Sequence, residues 1–235
     1  MGRFASFKQK ATVAGLAVIL ALAPGLLAAA DAVFQPVIPG EGQAWLVRAV
    51  YRSALDREKW SEPVTWRFLP LPSREAAVPG GTAVEVRDAG GRLDQAARLE
   101  FSGSRSLVRA DLTQSRRGKA VTFTLEYPDG TPAVAEKSLV PFDFPAFPAQ
   151  VPSVRTYRRE IAAGGGLYRE VLLAQEVREV TNPGGVPPLL RDRKLIEIRV
   201  TGEGGREIFT QYWEEGRPFC LFGRNADMEY GMVTE

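Results

Sequence analysis

The stretch Val121-Thr122-Phe123-Thr124-Leu125-Glu126-Tyr127, followed by Pro128-Asp129-Gly130, has the clearest structural pattern in the chain. Its apolar and polar side chains alternate, which is typical of a strand with one buried face. An Asp-Gly pair beside such a strand indicates a tight turn, because glycine accepts the positive φ that the turn requires. The sequence therefore predicts a strand at 121–127 and a hairpin that returns along 133–140.

Short alternating segments separated by turn residues continue on both sides of this hairpin. The predicted strands are 83–87, 97–101, 107–112, 154–161, 167–180, 195–200, 207–213, 219–222 and 228–233. Segments 44–57 and 168–178 also permit a helical stripe, but the spacing of the other strands favours β at both. No glycine-rich loop leads into a helix and βα units do not alternate, which argues against an α/β nucleotide-binding fold.

Residues 141–153 break this pattern of short strands, because they contain four prolines together with Phe142, Phe144 and Phe147. Proline cannot donate to a β ladder, so the segment is not an interior strand. We interpret it as a stiff connector between a module at 33–140 and a second module at 154–235. Its phenylalanines either contact a partner or pack between the modules, and packing is the favoured interpretation.

The fold class predicted from these patterns is all-β and antiparallel. An immunoglobulin-like sandwich module would be followed by a second, smaller antiparallel β module. Trp60 or Trp66 is the expected core tryptophan of the first module, although the cysteine pair of antibody domains is missing. Such sandwiches serve many functions, so the fold predicts none of them.

Residues 1–30 have the order of a cleavable secretory signal peptide. Arg3, Lys8 and Lys10 precede an apolar run at 11–22, and three alanines at 28–30 offer a cleavage site before Asp31. The run is shorter than the roughly 20 residues that span a membrane. We therefore expect cleavage and no transmembrane span in the mature chain.

The composition indicates a bacterial protein that is periplasmic or secreted. Arginine outnumbers lysine 24 to 6 and asparagine is rare, as is usual for a GC-rich bacterial genome. Cleavage removes three basic and no acidic residues, which leaves 27 basic and 28 acidic residues in the mature chain. A nucleic-acid-binding protein usually carries an excess of basic residues, and the mature chain has none. Expected partners are a protein or an envelope polymer.

The chain contains no histidine, and this limits its chemistry. Serine and cysteine hydrolases and most transition-metal sites use imidazole as a base or a ligand. The one cysteine, Cys220, lies among apolar residues, where a buried inert thiol is expected. We predict no catalytic, cofactor or metal site.

Two clusters of charged residues remain as weaker candidates. Acidic residues at Glu214, Glu215, Asp227 and Glu229 follow aromatic residues that could stack on sugars, which leaves a carboxylate-dependent carbohydrate-active enzyme as an alternative. Basic residues at Arg155, Arg158, Arg159 and Arg169, with Arg191, Arg193 and Lys194 further on, could meet acidic groups of a partner. Interleaved glutamates make a salt-bridged outer face the default interpretation of this cluster.

Three functional hypotheses follow from the sequence. The first is an exported, non-enzymatic envelope protein that binds or scaffolds another macromolecule, with Phe142, Phe144, Phe147, Arg155, Arg158 and Arg159 as candidate contacts. The second is a periplasmic carrier of a lipid or other apolar ligand, which requires a large apolar cavity. The third is the carboxylate-dependent enzyme.

Overall fold

A computed structural model describes residues 32–90, 95–116, 119–134, 142–164 and 167–234. Within these residues the chain forms fourteen strands, three 3₁₀ turns and no α-helix. The strands are β1 (Ala32–Phe34), β2 (Trp45–Tyr51), β3 (Val64–Pro70), β4 (Thr82–Asp88), β5 (Gln95–Phe101), β6 (Leu107–Arg116), β7 (Lys119–Glu126), β8 (Ala149–Val151), β9 (Ser153–Gly164), β10 (Leu167–Thr181), β11 (Lys194–Thr201), β12 (Glu207–Trp213), β13 (Phe222–Asn225) and β14 (Met228–Met232). The 3₁₀ turns are Ser73–Glu75, Pro188–Leu190 and Glu203–Gly205.

Twelve of these strands form one antiparallel order, β7-β6-β5-β4-β3-β2-β14-β13-β12-β11-β10-β9. The remaining two, β1 and β8, pair with each other in a two-stranded sheet. The all-β antiparallel class predicted from the sequence is therefore confirmed. Strands β2–β7 form one half of the large sheet as a meander, and β9–β14 form the other half.

The last strand of the chain joins these two halves. Strand β14 pairs with β13 on one side and with β2 on the other, from Met228 opposite Tyr51 to Met232 opposite Val47. The junction is tightly packed, because a Cβ at Gly231 would collide with the carbonyl oxygen of Leu221. Residues Asp31–Glu235 accordingly form one compact unit, which contains both predicted modules and the predicted connector.

Most strand predictions agree with the structure. The ambiguous segment 44–57 contains β2, and segment 168–178 lies within β10, so β is confirmed at both positions. The alternation at 121–127 is also confirmed, since Val121, Phe123 and Leu125 lie on the more buried face of β7. A strand was expected at 219–222, but the ladder begins only at Phe222, where β13 starts.

The predicted hairpin at Pro128-Asp129-Gly130 needs correction. The chain does turn there, with Gly130 at a φ of 70°. However, Ala133 forms an isolated bridge with Phe144 instead of starting a strand that returns along β7. Residues 135–140 of the expected return strand lie outside the described residues. The Pro-Asp-Gly sequence predicts only that the chain turns. The strand or residue with which the chain then pairs depends on burial, and Ala133 and Phe144 both lie in the core cluster.

Residues 142–149, here called the phenylalanine segment, run through the core. Phe142 packs against rings from both halves of the sheet, at centroid distances of 5.5 Å to Phe68 and 5.6 Å to Phe219. Phe147 packs edge-on against Trp213 at 5.5 Å. One core cluster contains these rings together with side chains from β2–β6, β10–β12 and β14. The large sheet therefore wraps around an interior that this segment fills.

The backbone of the phenylalanine segment obtains its hydrogen bonds from buried side chains. Ser106 Oγ accepts from the Phe147 N–H at 2.8 Å and donates to the Phe147 carbonyl oxygen at 3.0 Å. The amide of Gln175 makes the same reciprocal pair with Ala146, at 2.8 and 3.0 Å. Because a buried peptide group without a partner is costly, these side chains make the apolar route of the segment possible.

We predict that Ser106→Ala destabilises the protein by about 1–3 kcal/mol, because it leaves two buried peptide groups of Phe147 without their partner. Chemical denaturation followed by tryptophan fluorescence measures this change. Ser73→Ala is the matched control, since Ser73 is exposed. Equal midpoints for Ser106→Ala and the control would contradict the role of the Ser106 hydroxyl.

Candidate functional site

Strand β9 lies at one edge of the twelve-stranded sheet. Over its twelve residues it pairs with β10 and, in the described part of the chain, with no other strand. The outer side of an edge strand presents backbone N–H and C=O groups that can accept a further strand. This edge is therefore a surface to which another extended strand can bind through backbone hydrogen bonds.

Three arginines of the predicted basic cluster lie on β9, and they divide between its two faces. Side chains alternate along a strand, so Arg155 and Arg159 share one face and Arg158 lies on the other. The Arg158 guanidinium is exposed and is 3.5 Å from the Glu170 carboxylate. The Arg159 guanidinium lies 5.0 Å from the centroid of the Tyr127 ring. Arg155 is also exposed, so both faces of the edge present an arginine side chain, and the Arg158 charge is partly offset by Glu170.

The basic residues further along the chain do not extend this patch. Arg193 is paired with Glu214 at 3.0 Å, and Lys194 with Glu179 at 2.7 Å. The bond to Glu179 raises the pKa of Lys194 above its usual value. These ion pairs match the salt-bridged outer face that the sequence favoured. The side chain of Arg169 lies outside what the structure describes.

The three candidate phenylalanines have no exposed surface for a partner. Phe142, Phe144 and Phe147 are all buried within the core cluster described above. Their burial supports the packing interpretation of 141–153 and removes these residues from a contact surface. The physical reason is that the sheet closes over the segment from both halves of the chain.

The interior beside the phenylalanine segment contains a small gap. Its lining includes Trp45, Phe101, Phe144 and Phe219, and its volume is about 10 Å³. A single water molecule needs about that much space. A lipid chain does not fit into this part of the core.

Two of the four acidic residues considered for catalysis, Glu214 and Asp227, are engaged in separate contacts. Glu214 accepts hydrogen bonds from Arg193 at 3.0 Å and from Arg217 at 2.9 Å. Asp227 lies 3.6 Å from Arg57 at an exposed position. The arginine contacts give Glu214 a structural role at the end of β12.

Cys220 is fully buried, as the sequence predicted. Burial raises the pKa of its thiol well above the usual range, and the nearby Asp143 carboxylate adds to the shift. The thiolate, which is the reactive form, is therefore suppressed in the native state.

A further polar cluster was not anticipated from the sequence. The hydroxyls of Ser102 and Ser104 donate to Asp129 Oδ1 at 2.7 and 2.9 Å. The Ser102 bond in particular lowers the pKa of the Asp129 carboxyl. The lowered pKa favours the ionised carboxylate, which accepts hydrogen bonds from both serines. The cluster thus holds the turn at 128–130 against the loop before β6.

Gln175 and Gln211 are the structurally important polar residues that sequence reasoning missed. Gln211 donates to the Asp143 carbonyl oxygen at 2.9 Å and to the Tyr230 hydroxyl at 2.8 Å. Gln175 shares a strand face with Val171, Leu173 and Val177. A glutamine at an apolar position of an alternating strand was the available signal.

Metal ligands, membrane-spanning helices and similarity to known proteins place few further limits on function. Within the described residues, no group of three histidine, cysteine, aspartate or glutamate side chains is arranged to hold a metal ion. Across the same part of the chain, no helix has the length and apolarity needed to cross a membrane. No protein-family model, curated protein or solved structure matches the chain.

We expect Cys220 to resist thiol reagents in the native protein and to react fully after unfolding. Ellman's reagent with and without denaturant measures both rates. Because the native thiol pKa is raised, the stability that it contributes is present below about pH 8.5 and declines as the pH rises further. Rapid labelling of the folded protein near neutral pH would show that the thiol is accessible and contradict its burial.

Proposed function

We propose that this chain is an exported bacterial envelope protein that binds or scaffolds another macromolecule without catalysing a reaction. The observation that supports the proposal is the long open edge of β9, which carries exposed arginines on both faces. The leader-like residues 1–30 support export to the periplasm or the medium. The immunoglobulin-like character predicted for 33–140 fits this role, since such sandwiches often serve in binding.

The chemistry of the edge favours an extended acidic polypeptide over a polysaccharide. A polypeptide strand supplies amide and carbonyl groups at the spacing of a β ladder, which a sugar chain lacks. Carboxylates on the added strand would meet Arg155 on one face of the sheet and Arg158 on the other. Such pairs contribute selectivity and association rate in addition to the backbone hydrogen bonds.

The two alternative functions receive less support from the structure. A carrier of apolar ligands needs an open cavity, whereas the phenylalanine segment fills the core beside a gap of about 10 Å³. A carboxylate-dependent enzyme needs two cooperating acids, whereas Glu214 is held by two arginines. Native mass spectrometry of protein purified gently from a bacterial host would detect a retained apolar ligand and revive the carrier hypothesis.

We expect the mature protein to bind a fluorescein-labelled ten-residue peptide of alternating glutamate and valine. The double variant Arg155→Glu, Arg158→Glu should weaken this binding about tenfold or more, because it places like charges together. Fluorescence polarisation measures the affinity. The matched control is Arg48→Glu, Arg67→Glu, which makes the same charge change at exposed positions of the interior strands β2 and β3.

A second peptide, with lysine in place of glutamate, separates charge recognition from general stickiness. Wild-type protein that binds both peptides equally well would contradict the proposed role of the arginines. So would a control variant that loses as much affinity as the β9 variant.

Export is tested separately by expressing the full chain in a bacterium and fractionating the cells. We expect the protein in the periplasm or the medium, with Asp31 as its first residue by N-terminal sequencing. Intact protein retained in the cytoplasm would rule out the exported location, whatever the peptide experiments show.

A further inference from the structure

The open edge of β9 offers an acidic strand only part of its length. Before β9, Pro152 has no N–H to donate, and β8 is already paired with β1. Further along, the Arg159 guanidinium is stacked on the Tyr127 ring, and the next residue in the sequence is Glu160. Residues 153–158 are therefore the stretch of this edge that suits an acidic strand.

The two faces of residues 153–158 carry different side chains. On the face that turns towards the core, Arg155 lies opposite the buried Gln175. Arg155 is exposed, and within the described part of the chain it forms no ion pair. On the outer face, Val154 and Arg158 are both exposed. The exposed fraction of Val154 is 71%, so this edge presents an apolar contact as well as two positive charges.

Building on the function proposed above, we propose that the added strand pairs in antiparallel fashion with residues 153–158 and carries the N-to-C pattern acid-x-x-acid-apolar. Its first acid then lies opposite Arg158, its second acid opposite Arg155, and its apolar residue opposite Val154. Residues directly opposite each other in an antiparallel pair project from the same face of the sheet. Each side chain of the pattern therefore lies on the face that carries its partner.

The order of this pattern depends on the direction of the added strand. The large sheet is antiparallel at β9 and throughout its other pairs, and antiparallel ladders are slightly more stable per residue than parallel ones. A parallel strand would need the reversed order, with the apolar residue before the first acid. The spacing of the acids is the same in both cases. The position of the apolar residue therefore reports both the strand direction and the contact with Val154.

The two arginines are not equivalent in this arrangement. The Arg158 guanidinium is already 3.5 Å from the Glu170 carboxylate, so an acid opposite Arg158 also approaches Glu170. Like charges brought together in this way offset part of the attraction. The acid opposite Arg155 meets no such competitor among the described residues, and it therefore contributes more to binding than the other acid.

Two capped, fluorescein-labelled peptides of identical composition test the pattern on the mature protein. The matching peptide is Thr-Glu-Thr-Thr-Glu-Val-Thr, and the reversed peptide is Thr-Val-Glu-Thr-Thr-Glu-Thr. Fluorescence polarisation should show about two- to fivefold tighter binding of the matching peptide, which is the effect of one cross-strand pair. Val154→Thr should abolish this difference. Val37→Thr, the same substitution at an exposed valine outside β9, should preserve it. Thermal melts verify that the variants fold.

The possible outcomes separate the pattern from the function on which it builds. Equal binding of the two peptides to the wild-type protein overturns the pattern and leaves strand addition at β9 standing. Tighter binding of the reversed peptide, or a preference that survives Val154→Thr, also overturns the pattern. Arg155→Gln should weaken the matching peptide more than Arg158→Gln does, and the opposite ranking overturns the assigned register. If neither peptide binds, the function proposed for β9 fails together with the pattern.

Discussion

The passage of a proline-rich backbone through the apolar core is the constraint on which the rest of this fold depends. A segment without regular secondary structure cannot satisfy its own peptide groups, so other parts of the chain must provide donors and acceptors. Ser106 precedes β6, whereas Gln175 and Gln211 lie on β10 and β12. The polar partners therefore come from both halves of the sheet, and both must be in place before the segment can be buried.

This requirement ties the two halves together more firmly than their shared ladder does. Only five residue pairs join β14 to β2. The rings of the phenylalanine segment add contacts to both halves, including Phe68 on β3 and Tyr230 on β14, at centroid distances of 5.5 and 5.3 Å from Phe142. Burying large aromatic side chains contributes about 1.5–3 kcal/mol each. The two halves thus share one core, although each has the local pattern of a separate meander.

Most strands could be predicted from the sequence because their signal is local, although the central strand β3 (Val64–Pro70) was not among the predicted strands. Alternation at 121–127 reflects a half-buried face, and it predicts β7 without knowledge of what covers that face. The role of 141–153 was harder to predict, because proline excludes a strand but does not say whether the segment is buried or exposed. The segment can be buried because Ser106, Gln175 and Gln211 form hydrogen bonds with its backbone. These residues are distant from the segment in sequence, and none of them has a distinctive sequence pattern on its own. The arginines at 155, 158 and 159 were found from their clustering in the sequence, and their division between two faces follows from the alternation of side chains along β9.

The two edges of the sheet present different solutions to the same physical problem. Unpaired backbone groups make any edge capable of association, and side-chain charge determines which associations are favourable. On β9, arginine side chains on both faces oppose pairing with an identical strand. On β7, the charges lie only at the two ends, and the six residues Ala120–Leu125 between them carry none. The side chains of the two edge strands therefore oppose different associations, although both strands present the same kind of backbone groups.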